Sequence, residues 1–198
     1  MKYIVMSDGR MTRWKEKHNI PKHLMKINGE TLLQRIVRQV KSVDRNAEII
    51  ITSHNPLYEV EGAVRYEPVN NRIEIDRFTY ELINSDCCFL YGDTCYTDTC
   101  IRNVMDCNTN ELMFYGNDNS IVALVVKNET IMKKCIAEVR QDYFRGLMPE
   151  CKGWQLYYKY CRTLEEDEAR KRFVFVNDGT QGFNTYEEYQ QFIKGDFE

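Results

Sequence analysis

Short apolar runs at residues 2–6, 48–52 and 87–91 each end abruptly at small or polar residues. Between the first two, Leu32, Leu33, Ile36, Val37 and Val40 recur at helical spacing. A run of consecutive apolar residues reads as a strand buried on both faces, and strands alternating with helices need a layer of helices on each side of the sheet. The same alternation continues along the chain. Strands are expected at 63–66, 111–115, 121–126 and 172–176. Helices are expected at 30–43, 73–83, 98–105, 130–143, 154–164 and 186–193, the last after Asn184-Thr185, either of which suits a helix cap. The expected fold is therefore α/β with a largely parallel sheet, and residues 1–198 read as a single domain.

Composition narrows the function classes. With 43% hydrophobic and 29% charged residues, the 198-residue chain has a globular rather than a disordered composition. A net charge of −3 argues against duplex nucleic acid as the main partner, which wants a basic face, but leaves room for a small phosphorylated ligand. No apolar stretch approaches the roughly 20 residues that span a bilayer, and the first run is too short for the core of a signal peptide. The eight cysteines include no Cys-x-x-Cys pair, so free thiols in a reducing cytoplasm are expected. Self-association into a homo-oligomer is compatible with all of this.

In an α/β sheet, ligands sit beyond the carboxyl ends of the strands, which directs attention to the loops 7–29 and 92–97. The first loop carries Gly9, Arg13 and Pro21-Lys22. Backbone N–H groups of a loop leaving a buried strand can wrap a phosphate chain, glycine permits close approach, and Arg13 and Lys22 add fixed positive charge. An ordinary basic surface loop is the competing reading. At the end of the run 87–91, Gly92-Asp93 brings a carboxylate to the same sheet edge. Mg²⁺ takes hard oxygen ligands and fills the rest of its shell with water and phosphate, so one or two protein ligands suffice; a simple Asp-Gly turn is the alternative. Asn70 or Asn71 offers an amide donor and acceptor for a base edge, or serves only as turn and cap. An acceptor pocket is expected to be lined by residues 115–127 and 145–160, where Lys127, Lys152, Trp154 and Tyr157 could supply a cation for a phosphate and an aromatic wall beside it, although aromatic side chains in 154–160 more often pack.

The order of these features resembles the nucleotidyltransferase branch of the GT-A-type nucleotide-sugar fold, whose members include sugar-phosphate, phosphocholine and molybdenum-cofactor nucleotidyltransferases. That family opens with a hydrophobic strand, Ala-Ala-Gly-x-Gly-x-Arg, Pro-Lys, and a Leu-rich helix after an Asn-Gly turn. Here the strand, Gly9, Arg13, Pro21-Lys22, Asn28-Gly29 and the helix follow in that order. Asp8 stands where the family usually has Ala, and Met11 where it has its second Gly. The resemblance implies a Rossmann-like, three-layer α/β/α domain with a mostly parallel mixed sheet. It implies a Mg²⁺-dependent transfer of a nucleoside monophosphate from a nucleoside triphosphate to a phosphorylated acceptor such as a sugar phosphate or phosphocholine, releasing pyrophosphate. Residues Met6, Ser7, Asp8, Gly9, Arg10, Met11 and Thr12 would cradle the nucleotide with Asn70 and Asn71. Arg13, Lys22 and Asp93 would be catalytic, and Asp93 would bind the metal with Asn184, for which Asp178 is the competitor. The alternatives are a glycosyltransferase of the same fold, which would need a second Asp that Asp93-Thr94-Cys95 lacks, and a non-catalytic nucleotide-binding module, which Asp8 and Met11 favour.

Overall fold

The computed structural model describes residues 1–9, 14 and 20–195. Its strands in chain order are β1 (Lys2–Met6), β2 (Lys26–Ile27), β3 (Glu30–Thr31), β4 (Glu48–Thr52), β5 (Val64–Tyr66), β6 (Cys87–Tyr91), β7 (Thr94–Cys95), β8 (Leu112–Gly116), β9 (Ile121–Val126), β10 (Phe173–Phe175) and β11 (Gln181–Gly182). Seven of them form one sheet in the order β10-β8-β9-β6-β1-β4-β5. All its neighbours are parallel except at β9, which runs against both β6 and β8. This is the expected mostly parallel mixed sheet.

Strand side chains alternate between two helix layers. Tyr3 and Val5 of β1, with Cys88 and Leu90 of β6, meet Leu33, Ile36, Val37 and Val40 of the helix Leu32–Val43 and Ile101 and Val104 of the helix Asp98–Met105. Ile4 and Met6, with Cys87 and Phe89, face the other way onto Met132, Ile136 and Val139 of the helix Glu129–Phe144 and Leu156 and Tyr160 of the helix Gly153–Cys161. Burial on both faces is why these strands read as unbroken apolar runs rather than as alternating ones. No helix among the described residues is long and apolar enough to cross a membrane. All eight cysteines are thiols, six of them buried.

The structure departs from the sequence expectation in four places. The helix expected from residue 30 begins at Leu32, because Lys26–Thr31 is a hairpin: Asn28 and Gly29 both take positive φ, 52° and 86°, as a two-residue turn of this hand requires. The expected helix 73–83 is two 3₁₀ turns, Glu74–Phe78 and Tyr80–Leu82, separated by Thr79 at φ 34°. The buried Asp76 carboxylate accepts the N–H groups of Arg72 and Ile73 at 3.0 and 3.1 Å and pairs with Arg140, so a side chain takes donors at the start of the segment and Thr79 breaks the ladder at its end. A short helix, Glu166–Arg170, and a two-stranded antiparallel ribbon of β7 and β11 were not expected.

Register places the site. Met6 lies opposite Thr52 on one side and Tyr91 on the other, so β1, β4 and β6 end level. Ser7 N–H donates to the Thr52 carbonyl at 3.1 Å and Gly92 N–H to the Met6 carbonyl at 3.0 Å, which holds the three outgoing loops together. β9 runs the other way: Val126 lies opposite Cys87, at the start of β6.

Candidate active site

A cleft of about 410 Å³ opens beyond the carboxyl ends of β1 and β6, bringing together Lys22, Asp93, Lys152, Trp154 and Asn184 from distant parts of the chain. Lys22 opens a 3₁₀ turn (Lys22–Leu24) behind Pro21, whose φ of −56° fits the fixed proline value. Its ammonium is hydrogen-bonded to the Asp93 carboxylate and donates to the Phe183 carbonyl at 3.3 Å. The Lys22 and Asp93 side chains are only 10% and 16% exposed. Burial alone would raise the Asp93 carboxyl, but the neighbouring Lys22 ammonium, with His23 and Arg77, holds it below the usual carboxylate range.

The ribbon explains how the end of the chain reaches this point. Gly182 pairs with Thr94, and Phe183 N–H donates to the Asp93 carbonyl at 2.9 Å, so Asn184 emerges beside Asp93. The cap of the following helix, Tyr186–Gly195, is Thr185: its hydroxyl accepts the Glu188 N–H at 3.3 Å while the Glu188 carboxylate accepts from Asn184 and Thr185. Asp178 lies away from the cleft lining, accepting from Thr97 Oγ1 at 2.5 Å and from Thr180 N–H at 3.0 Å.

Gly92 stands where side chains have no room. A Cβ there would lie 2.2 Å from Ser7 Oγ and 2.9 Å from the Met6 carbonyl oxygen. Ser7 is buried, and its hydroxyl has no hydrogen-bond partner among the described residues. Met6 contributes its side chain to the core rather than to the cleft. His23 is buried beside Gly92, and its Nδ1 lies 3.0 Å from the Tyr58 hydroxyl. Burial, reinforced by the Lys22 charge, pushes the imidazole down to about 3, so it is neutral at pH 7.

Asp8 ties three loops together. Its carboxylate takes the His54 N–H at 3.0 Å, the His54 Nδ1 at 2.7 Å and the Asn71 amide at 2.8 Å, and its carbonyl takes the same amide at 2.6 Å. The residue that departs from the family pattern is therefore engaged with its neighbours, and Asn71 is fixed by it. Asn70 is exposed and borders a different groove, with Ile75, Tyr80 and Arg140. Arg10, Met11, Thr12 and Arg13 lie outside the described residues.

Lys127 is corrected by the fold. It follows β9, whose reversed direction carries it to the opposite edge of the sheet, where it pairs with Asp86. Tyr157 packs edge-on against Phe114 at 5.1 Å and stays off the cleft lining. Trp154 lines the cleft while stacking on Phe173 at 5.4 Å, which fixes its ring.

Sequence reasoning missed Glu74, Arg77 and Tyr91, which also line the cleft, whereas Asn119 and Ser120 come from the stretch 115–127 expected to line an acceptor pocket. Glu74 and Arg77 fall in a segment read as helical, where charged residues pass for a solvated face. The lining holds three cations, Lys22, Arg77 and Lys152, against the carboxylates of Glu74 and Asp93. Such a surface suits a polyanion carrying its own divalent ion. Among the described residues no group of three or more His, Cys, Asp or Glu converges on a metal position. The donors present, the Asp93 carboxylate and the Asn184 amide oxygen, are hard oxygens, and they fit an ion that brings phosphate and water with it.

No protein-family model matches the sequence, and no curated protein sequence matches it. Solved structures do match in fold. The CTP:phosphocholine cytidylyltransferase of Streptococcus pneumoniae is 14% identical with a TM-score of 0.56, over 98% of this chain and 97% of that one. The 4-diphosphocytidyl-2C-methyl-D-erythritol synthase of Anaerococcus prevotii is 11% identical with a TM-score of 0.64, over 100% and 96%. The inositol-1-phosphate CTP transferase of T. maritima is 10% identical with a TM-score of 0.58, over 98% and 94%. This chain shares the fold of these nucleotidyltransferases along nearly its whole length.

Proposed function

We propose that this chain is a cytoplasmic, Mg²⁺-dependent nucleotidyltransferase that joins a nucleoside monophosphate from a nucleoside triphosphate to a phosphorylated small-molecule acceptor and releases pyrophosphate. The observation that carries this reading is the meeting of Lys22, Asp93 and Asn184 in one cleft at the carboxyl edge of the sheet. The likeness to three nucleotidyltransferases, two of them named for CTP, supports it.

The acceptor phosphate would attack the α-phosphorus in line, so the protein's task is positioning and charge neutralisation rather than covalent chemistry. Backbone N–H groups of the loop beyond Ser7 would hold the triphosphate, and Arg13 would face the departing pyrophosphate. Asp93 and Asn184 would hold Mg²⁺, which when bound neutralises phosphate charge. On substrate binding, Lys22 would exchange part of its contact with Asp93 for the α-phosphate, whose charge is redistributed during attack. Lys152 and Trp154 would border the acceptor, and Asn71, fixed by Asp8, would stand near the base.

A pyrophosphate-release screen of the four nucleoside triphosphates against sugar 1-phosphates and phosphocholine tests this reading. Wild-type protein is expected to release pyrophosphate with at least one pair, and Asp93→Asn to lose it by orders of magnitude while staying folded. Asp93→Asn with wild-type turnover at limiting Mg²⁺ would remove Asp93 from the site.

A further inference from the structure

Arg77 differs from Arg38 and Arg140, two firmly held arginines among the described residues. Arg38 donates three hydrogen bonds to Glu30, at 2.7, 2.9 and 3.0 Å, and Arg140 is seated on the buried Asp76. The Arg77 guanidinium donates no hydrogen bond to any described residue. Its one ion pair among them is a single contact to Glu74 at 3.5 Å. A guanidinium carries five N–H donors and does not lose its charge, so these donors are available to a ligand.

Its place is specific. Were residue 9 to carry a Cβ, Arg77 Nη2, Cζ and Nε would lie 3.1, 3.2 and 3.5 Å from it, so the guanidinium lies across Gly9. Glycine at this position leaves room for a cation beside the loop that follows β1. Arg77 lines the cleft with Lys22, and its charge helps to depress both Asp93 and His23. Glu74, Arg77 and Lys152 are also the wall shared with an adjoining cleft of about 390 Å³, to which Arg72 adds a further cation. An anion reaching that wall meets the forked donor of Arg77 and the Lys152 ammonium, which also pairs with Glu150 at 2.6 Å.

We infer that Arg77 holds a phosphate group in this cleft, its fork engaging two phosphate oxygens with Lys152 beside it. The inference rests on the nucleotidyl-transfer reading for where that phosphate comes from: the triphosphate tail of the nucleotide or the phosphate of the acceptor.

Calorimetric titration of wild-type, Arg77→Gln and Arg77→Lys proteins with inorganic tripolyphosphate and with glycerol 3-phosphate decides it. Arg77→Gln is expected to weaken at least one of the two by roughly tenfold or more, with an unchanged melting temperature and an intermediate loss in Arg77→Lys. Loss confined to tripolyphosphate identifies the nucleotide tail as the source, and loss confined to glycerol 3-phosphate identifies the acceptor. Wild-type affinity for both anions in Arg77→Gln overturns the inference, as does a wild-type protein that takes up neither. Should Arg77→Gln fail to fold, Arg77→Lys decides by the same comparison, since it keeps the charge and loses the fork. A protein that binds anions through Arg77 yet releases no pyrophosphate with any pair keeps this site and refutes the catalytic reading. Turnover with undiminished anion binding by Arg77→Gln does the reverse.

Discussion

Lys22 and Asp93 form a nearly buried ion pair, and the Lys22 ammonium helps hold Asp93 in its charged form. Taking away the ammonium leaves a carboxylate with little water around it, which in buried pairs costs on the order of 3 kcal/mol. Lys22→Ala is therefore expected to lower the melting temperature as well as to reduce kcat, by roughly 10²-fold for loss of one preorganised charge. Lys22→Arg should restore stability better than turnover, because a planar fork does not replace a compact ammonium at a single oxygen. Thermal melts beside steady-state kinetics separate the two effects. A surface lysine would show neither. His23 gives a second, independent readout. Its neutral form is the one that fits, with the folded value near 3 against about 6.5 in the unfolded chain. Between those values the unfolded state binds a proton that the folded state does not, so stability rises with pH and falls on acidification. From pH 6.5 to pH 5 the expected loss from this group approaches about 1.4 kcal/mol per pH unit at the lower end. Urea titrations at pH 7 and pH 5 check it, and His23→Phe should flatten the difference.

Among the elements, those with a single strong local signal were legible. Residues 2–6, 48–52, 87–91 and 98–105 are found where apolar runs and helical spacing put them. What stayed hidden depended on contacts remote in sequence. The β7–β11 ribbon has two residues per strand, too short for any pattern, yet it brings Asn184 to Asp93. The segment 73–83 has helical spacing but is governed by the Asp76 carboxylate and by Thr79 in the left-handed region, neither of which a periodicity reveals. The cap at Asn184-Thr185 was narrowed to two residues, and geometry selects Thr185. Thr185→Ala should therefore cost about 1 kcal/mol through the helix Tyr186–Gly195. That helix packs Tyr186 and Tyr189 against Trp14, at 5.7 and 6.3 Å between ring centres. Hydrogen exchange of its amides would show the loosening first there. An equal effect at the central strands would contradict a local cap.

At the scale of the whole molecule, the fold follows from burial on both faces of a mostly parallel sheet, and the site follows from the level ends of β1, β4 and β6. One antiparallel strand decides what the site excludes. Lys127 is a cation in the right stretch of sequence, yet β9 delivers it to the far edge, whereas Lys152 and Trp154, after another helix and loop, return to the cleft. Charge near a motif in sequence is thus a poor guide unless strand direction is known. The proposed reaction is attack at the α-phosphorus of a nucleoside triphosphate. The most direct test is the fate of a radiolabel placed at the α- or at the γ-phosphorus, followed with the pair of substrates that turns over. The account predicts that α-label appears in the acceptor product and γ-label in pyrophosphate. Transfer of γ-label to the acceptor, or its release as inorganic phosphate alone, would contradict it.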